Sequence, residues 1–337
     1  MATHVAVFGA GAWGTAFAVH LCTRAHATPR VTLWARATDQ AAALARAREN
    51  VRYLPGVELP PGVSVTADLA TAVRADVLVA ATPVAALSEL AAALLRAGAT
   101  SPLISLAKGL VASDVAPAGF VLAHQAIGAR WPAPVGVVSG PSFAEEVARG
   151  LPTALTVAAT DNALAREIAA LVRGDTVRAY ETDDIAGVET GGAVKNVLAI
   201  AAGASDGLSF GNNARAALIT RGLAETGRLS EALGGRRDTL MGLAGLGDLV
   251  LTCTGDLSRN RRVGLELAKG RKLPAILTDL GHVAEGVPAA AATRALARHY
   301  GIEMPISEAV CRVLYDDVPV RVAVEALLRR EPRREQS

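Results

Sequence analysis

Lys195 lies in a segment where a charged side chain is unexpected. Residues 191–202 read GGAVKNVLAIAA, which is small or apolar on nearly every face and predicts a buried helix. An ammonium group in such a helix is unfavourable unless it is paired or its pKa falls. A desolvated lysine can donate a proton to a carbonyl oxygen as a hydride arrives, or take it back. The segment therefore favours an acid/base role for Lys195, with a structural lysine that extends to water as the alternative.

Gly9, Gly11 and Gly14 form a G-x-G-x-x-G pattern at the start of the chain. The pattern follows a predicted strand at 5–8 and opens a predicted helix at 14–24. In this context the glycines allow a tight turn, a close approach of backbone to a pyrophosphate, and close helix–strand packing. The sequence predicts an NAD(P)H site here; a plain glycine-rich turn is the alternative.

Arg36 follows the second predicted strand, residues 31–34, where an acidic residue would bind the ribose of NAD. An arginine can instead accept the 2′-phosphate of NADP, so we expect NADPH to be used. Asp39 keeps NAD possible, and a simply solvated Arg36 is the alternative.

Two polar segments follow later predicted strands. Lys108 comes after the strand at 103–106, at the carboxyl end where open α/β sheets bind ligands, although a solvent-facing loop lysine is the alternative. Ser142 and Glu145 follow the strand at 135–138 and match a capping box for a short helix. The start of that helix could also present N–H groups to a ligand.

A phosphate site is predicted in the second half of the chain. Asp248 ends a glycine-rich turn at a helix start, where it could cap the helix or pair with a lysine. Ser258 is a predicted N-cap, and Arg259 follows it. An arginine beside free helix N–H groups suits a phosphoryl group, so we expect a small phosphorylated substrate.

The elements that position these groups divide the chain in two. Residues 1–186 alternate apolar strands and helices, which predicts a Rossmann-type α/β domain with a doubly wound, mainly parallel sheet. Strand patterns stop near Asp184, and residues 187–330 predict an all-α domain packed against the first across a cleft. Residues 331–337 are predicted to be a flexible tail. The remaining predicted strands are 77–81, 155–158 and 177–180, and the later helices are 187–204, 211–233, 258–269, 288–300, 305–315 and 320–330.

Composition argues against several protein classes. The net charge of the 337 residues is only +2 and the basic residues are dispersed, so we expect no nucleic-acid partner. We see no apolar run near the ~18–20 residues of a spanning helix and no export signal, which predicts a cytoplasmic chain without stable membrane insertion. The cysteines and histidines lack metal-ligand spacing, so we expect reduced thiols and no metal. The sequence is compatible with a homodimer.

The sequence as a whole resembles the bacterial-type NAD(P)-dependent glycerol-3-phosphate dehydrogenase family. The resemblance spans nearly the whole chain and is carried by many motifs in register. These are residues 9–14, 53–56, 108–109, 139–144, 187–189, 195–196, 211–215, 242–248, 258–262 and 285–286. The family implies interconversion of dihydroxyacetone phosphate and sn-glycerol 3-phosphate, which feeds phospholipid synthesis.

The resemblance also implies roles for individual residues. It makes Lys195 the catalytic acid/base. The implied substrate contacts are Lys108, Gly140, Ser142, Lys195, Asp248, Ser258, Arg259 and Asn260. The implied cofactor contacts, besides the three glycines, are Trp13, Arg36, Tyr53, Lys108, Ala144, Arg259, Val283 and Glu285. Ala12 and Ala107 stand where the family often has hydroxyl residues, which removes one side-chain contact at each position.

Two other functions would share part of this pattern. A related two-domain β-hydroxyacid dehydrogenase would keep a lysine and an asparagine on the first helix after the sheet, but would not need the phosphate site at 258–260. A dinucleotide-sensing regulatory module would need the glycine motif but no buried lysine in the cleft, so Lys195 and Asp248 argue against it.

Overall fold

The computed structural model describes residues 3–23, 28–281 and 283–331. Its strands are β1 (His4–Phe8), β2 (Arg30–Trp34), β3 (Glu49–Asn50), β4 (Leu54–Glu58), β5 (Val63–Thr66), β6 (Val77–Ala80), β7 (Leu103–Ser105), β8 (Val111–Ala112), β9 (Phe120–Val121), β10 (Val135–Ser139), β11 (Thr153–Ala159) and β12 (Val177–Thr182). Its helices are α1 (Ala12–Cys22), α2 (Thr38–Ala47), α3 (Leu69–Ala72), α4 (Leu87–Arg96), α5 (Ala123–Gly128), α6 (Ala144–Ala148), α7 (Asn162–Val172), α8 (Ile185–Gly207), α9 (Gly211–Ala232), α10 (Arg237–Leu240), α11 (Asp248–Thr254), α12 (Arg259–Ala268), α13 (Leu273–Leu280), α14 (Gly286–His299), α15 (Pro305–Tyr315) and α16 (Val320–Leu328).

One 8-stranded sheet organises the first part of the chain, in the order β5-β2-β1-β6-β7-β10-β11-β12. Neighbouring strands run parallel except β10 and β11. Alternate residues of β1 pack on opposite faces: Val7 lies in an apolar cluster with Phe17, and Phe8 lies in another with Leu94. Both faces are buried, which explains the continuously apolar strands. The predicted mainly parallel α/β sheet followed by helices is confirmed.

Short elements account for most differences from the predicted pattern. The edge strand β5, the hairpins β3–β4 and β8–β9, and the helices α10, α11 and α13 were not predicted. They have two to eight residues, too few for a clear hydrophobic period. The predicted helix at 14–24 begins at Ala12 and ends at Cys22. Residues 332–337 of the predicted tail lie outside the described residues.

Helix α8 is the core of the helical part of the molecule. By length and composition it could span a membrane, so the expectation that no segment would approach such a length was wrong. Its apolar window is completely buried inside the protein, as in the core helix of a soluble protein. Val188 on α8 also packs with Val137 and Ala158 of the sheet, which joins the two parts of the chain.

Helices α8 and α12 approach each other to backbone contact. A Cβ on Gly203 of α8 would lie 1.9 Å from the Arg261 carbonyl oxygen, and one on Gly264 of α12 would lie 2.0 Å from the Ile200 oxygen. Only glycine allows this separation. The close approach lies in the C-terminal half of α8 and holds α12 against the helix that carries Lys195.

Candidate active site

The glycine turn between β1 and α1 has the form expected of a dinucleotide site. Gly9 has φ +121°, and a Cβ there would lie 2.6 Å from the Ala81 carbonyl oxygen. A Cβ on Gly14 would lie 2.0 Å from the Gly9 oxygen, whereas one on Gly11 would have nothing within 4 Å. Gly9 and Gly14 are therefore required for packing, and Gly11 leaves open space at an uncapped helix N-terminus.

Two further features fit a nicotinamide dinucleotide here. The buried Nε1 of Trp13 has no hydrogen-bond partner, so a donor next to the turn is left for a ligand. Asn50 donates to the Ala10 carbonyl oxygen at 3.1 Å and to Thr15 Oγ1 at 2.7 Å, which ties the β3–β4 hairpin to the turn. Tyr53, at the tip of this hairpin, is half-buried, with the Arg52 guanidinium over its ring.

Arg36 is exposed in the connection between β2 and α2. This position lies next to the carboxyl end of β1, because β1 and β2 are paired in parallel and Phe8 is opposite Trp34. Asp39 is exposed in the first turn of α2. Both side chains are therefore at the edge of the sheet where a dinucleotide ribose would bind.

Asp248 and two lysines form the centre of the site. Asp248 Oδ1 lies 2.5 Å from Nζ of Lys195, and Oδ2 lies 2.6 Å from Nζ of Lys108. The Asp248 side chain is only 1% exposed. Lys195 Nζ also donates to Thr252 Oγ1 at 3.0 Å, and Lys108 Nζ donates to the Gly140 oxygen at 2.9 Å. Lys108 and Gly140 lie in loops that follow strands of the sheet, and the other groups lie on helices, so the cluster lies between the two parts of the chain.

Burial and charge determine the protonation of this cluster. Burial is the main reason that the pKa of Lys195 falls to about 8; the Asp248 carboxylate opposes this effect, and the Lys108 cation adds to it. Burial alone would raise the pKa of Asp248, but the Lys108 and Lys195 cations reverse this and lower it. Asp248 is therefore a carboxylate near neutral pH, and Lys195 can gain or lose a proton there.

The segment from Gly140 to Ala144 lies beside this cluster. Gly140 has φ +131°, which favours glycine, and its carbonyl oxygen also accepts a hydrogen bond from Ser142 Oγ at 2.9 Å. The predicted capping box of Ser142 and Glu145 was wrong, because α6 begins at Ala144 with Phe143 as an N-cap that has no side-chain hydrogen bond. The Ser142 hydroxyl is used instead to stabilise the turn. Ala144 is half-buried.

The start of α12 has the predicted capping. Ser258 Oγ accepts a hydrogen bond from the Arg261 backbone N–H at 3.2 Å, so the predicted N-cap is confirmed. Arg259 is exposed at the first position of the helix. Asn260 is buried, and its side chain bonds to Asn196 and to the Gly286 backbone N–H.

Glu285 and Val283 complete the predicted set on the helical side. Burial raises the pKa of Glu285, against the cations of Arg259, Lys195 and Lys108. Its carboxylate accepts a hydrogen bond from the Val84 backbone, which follows β6. Val283 is 53% exposed.

The structure therefore places some of the predicted residues in direct contact and places others on the β1–β2 side of the sheet. Lys108, Gly140, Lys195 and Asp248 are in contact, whereas Arg36, Tyr53 and the glycine turn lie toward β1 and β2. Thr252 was missed by sequence reasoning, although it follows Asp248 by four residues on one helix and could have been found by that spacing. Among the described residues, no group of three or more histidines, cysteines or acids could hold a metal ion.

Comparison with known proteins identifies the family. A family model described as the N-terminus of NAD-dependent glycerol-3-phosphate dehydrogenase matches residues 4–165, and one described as its C-terminus matches residues 184–325. The chain belongs to this family. It is thus an NAD(P)-dependent oxidoreductase, and the alternative β-hydroxyacid dehydrogenase is less well supported.

Individual proteins of this family match the chain along nearly its whole length. A Nitrosospira multiformis protein named glycerol-3-phosphate dehydrogenase (NAD(P)+) is 52% identical over 98% of this chain and 99% of its own length. A crystal structure of glycerol-3-phosphate dehydrogenase from Coxiella burnetii is 39% identical, with a TM-score of 0.90 over 97% of this chain and 99% of that one. The structure of the Saccharomyces cerevisiae enzyme is 27% identical, with a TM-score of 0.83 over 96% and 99% of the two chains.

Proposed function

We propose that this dehydrogenase reduces dihydroxyacetone phosphate to sn-glycerol 3-phosphate with NAD(P)H and also catalyses the reverse reaction. The observation that carries the proposal is the buried Asp248 carboxylate, held between Lys195 and Lys108 beside the start of α12. We also propose the predicted division at 186/187, a cytoplasmic location, a homodimeric state and a supply of glycerol phosphate for phospholipid synthesis.

The cofactor would lie along the glycine turn, with its pyrophosphate at the N-terminus of α1. Arg36 and Tyr53 would lie on the adenosine side, and Lys108, Glu285 and the start of α12 on the nicotinamide side. When bound, the reduced nicotinamide supplies a hydride, one proton with two electrons, to the substrate carbonyl carbon. Residues of both parts of the chain then orient the carbonyl toward it.

Lys195 supplies the proton that balances the hydride. As the new C–H bond forms, the C=O π electrons move to oxygen, and the Lys195 ammonium donates a proton to make the hydroxyl. The Lys108 cation stabilises negative charge as it develops on that oxygen. Asp248 orients both Nζ atoms and keeps Lys195 sufficiently protonated near neutral pH. In the reverse direction, neutral Lys195 accepts the hydroxyl proton.

The substrate phosphate would bind at the start of α12. The first backbone N–H groups of α12 and the exposed Arg259 guanidinium both favour binding of an anion. The Gly140–Ser142 turn bounds the same side of the cleft through its contact with Lys108. A phosphate held away from the reacting carbon orients the carbonyl and so contributes to turnover.

The test is oxidation of NADH and NADPH, followed side by side with purified protein. We expect activity with dihydroxyacetone phosphate and very little with unphosphorylated dihydroxyacetone. Equal activity with both ketones, or activity only with a β-keto acid, would contradict the proposal.

A further inference from the structure

Two buried asparagines form a chain of hydrogen bonds between the sheet side and the helical side of the molecule. Asn196 Nδ2 donates to the backbone oxygen of Lys108 at 3.3 Å. Asn260 Nδ2 donates to Asn196 Oδ1 at 2.9 Å, and the Gly286 backbone N–H donates to Asn260 Oδ1, also at 2.9 Å. Both asparagine side chains are buried, with total exposures of 4% and 8%. The chain therefore links the loop after β7 to α8, α12 and the first residue of α14.

The direction of these bonds is determined by the two backbone ends. The Gly286 N–H can only donate, so Asn260 must turn its oxygen toward it and its amide nitrogen toward Asn196. Asn196 must then present its oxygen to Asn260 and its nitrogen to the Lys108 carbonyl, which can only accept. A carboxylate at either position would place two acceptors face to face. The chain thus requires a carboxamide at both positions.

Each of the four residues in this chain of hydrogen bonds is a charged residue of the proposed site or directly follows one. Lys108 is itself one end, Asn196 follows Lys195, Asn260 follows Arg259, and Gly286 follows Glu285. A shift of any of these four residues would also move the charged residue, because neighbouring residues share a peptide bond. The connections are buried, so water does not readily replace a lost bond.

We propose that Asn196 and Asn260 are positioning residues that set the relative placement of Lys108, Lys195, Arg259 and Glu285, and thereby couple the substrate-phosphate side of the cleft to its cofactor side. Asn260 accepts from Gly286 and donates to Asn196, so at most one amide proton remains for a substrate. Its main effect is then exerted through the backbone of α14 and through Asn196. The inference rests on the proposed function, because the four charged residues are its site.

The first test measures NADPH binding without substrate, by fluorescence titration of Asn196→Ala, Asn260→Ala and the double variant. Loss of either side chain leaves buried polar groups unpaired, so we expect each single variant to bind NADPH about ten-fold more weakly. The double variant should bind little worse than the weaker single variant, because both changes remove the same central bond. Asn212→Ala, on the exposed start of α9, is the matched control and should bind normally.

A pure substrate ligand would behave differently. If both single variants bind NADPH normally and only the KM for dihydroxyacetone phosphate rises, Asn260 acts on the substrate directly and the positioning role is overturned. Additive losses in the double variant would also overturn it.

A second measurement uses the unmodified protein and does not depend on the variants folding or on the proposed reaction. The first N–H groups of a helix have no intrahelical partner, so exchange protection of Gly286 N–H should depend on Asn260. We expect slow hydrogen–deuterium exchange at Gly286, and exchange at the rate of a free amide would overturn the chain of bonds. Failure of the unmodified protein to bind NADPH would instead contradict the proposed function.

Discussion

Asp248 Oδ1 lies 2.5 Å from Nζ of Lys195, although the two residues are 53 positions apart in the sequence. The pair joins α11 to α8. A buried charge left without its partner costs ~3–5 kcal/mol, but here Lys108 remains to pair with Asp248 if Lys195 is removed. The site can therefore lose Lys195 without leaving a carboxylate unpaired, which makes its chemical role testable.

Lys195→Ala should lower turnover with dihydroxyacetone phosphate by ~10²–10⁴-fold, because the proton donor is lost. The circular dichroism spectrum and the Kd for NADPH should remain close to normal. Lys195→Arg should not restore turnover, since a guanidinium is a poor proton donor of different shape. Near-normal turnover in either variant would return Lys195 to a structural role.

The pH dependence of the reaction rate in each direction should report the lowered pKa of Lys195. Reduction needs the ammonium form, so its rate should fall as pH rises through about 8, whereas oxidation needs the neutral amine and should rise through the same range. Lys108→Met removes a neighbouring cation and a competitor for Asp248, so the pKa of Lys195 should rise. Both pH limbs should then move to higher pH; limbs that stay in place would show that Lys108 does not affect this proton.

Arg259→Ala should lower kcat/KM for dihydroxyacetone phosphate, because a charge-assisted phosphate contact is lost. The decrease should correspond to a loss of ~2–4 kcal/mol of transition-state stabilisation. With unphosphorylated dihydroxyacetone the same change should have little effect. The loss caused by removing Arg259 and the loss caused by removing the substrate phosphate should therefore be strongly non-additive. A contact of Arg259 with the cofactor would add a smaller loss common to both ketones. If the variant loses the same factor on both, the phosphate binds elsewhere.

Arg36→Ala should weaken NADPH binding by ~1.5–3 kcal/mol and leave NADH binding nearly unchanged, because only NADPH carries the 2′-phosphate. Titrations of both cofactors with both proteins measure the difference. Equal losses for the two cofactors would show that Arg36 does not contact the 2′-phosphate.

Gly264→Ala should destabilise the protein by ~1–3 kcal/mol or more, since the new methyl group would meet the backbone of α8. Gly227→Ala is the matched control. Gly227 also lies within a helix, but its Cβ would be 3.5 Å from the nearest atom, on the Arg237 side chain. That variant should be neutral or gain ~0.5–1 kcal/mol from helix propensity. Denaturant unfolding of both variants gives the comparison, and equal effects would mean that the α8–α12 approach is not tight.

The sequence by itself determined the elements whose signals are local. Strand β1 and the glycine turn were predictable because an apolar run, three glycines and a helix start lie within a few residues. The N-cap at Ser258 was predictable for the same reason. The acid/base interpretation of Lys195 followed from its neighbours, since residues 191–202 are small or apolar on nearly every face and so predict a buried helix.

Only the tertiary structure decided which groups meet. The sequence left Asp248 with two alternatives, a helix cap or a lysine partner. In the structure Asp248 meets Lys195 of α8 and also Lys108 of the loop after β7. The tertiary structure likewise joined Asn260 to Gly286 across 26 residues. These contacts depend on how distant helices pack against the sheet, and that arrangement leaves no local pattern in the chain.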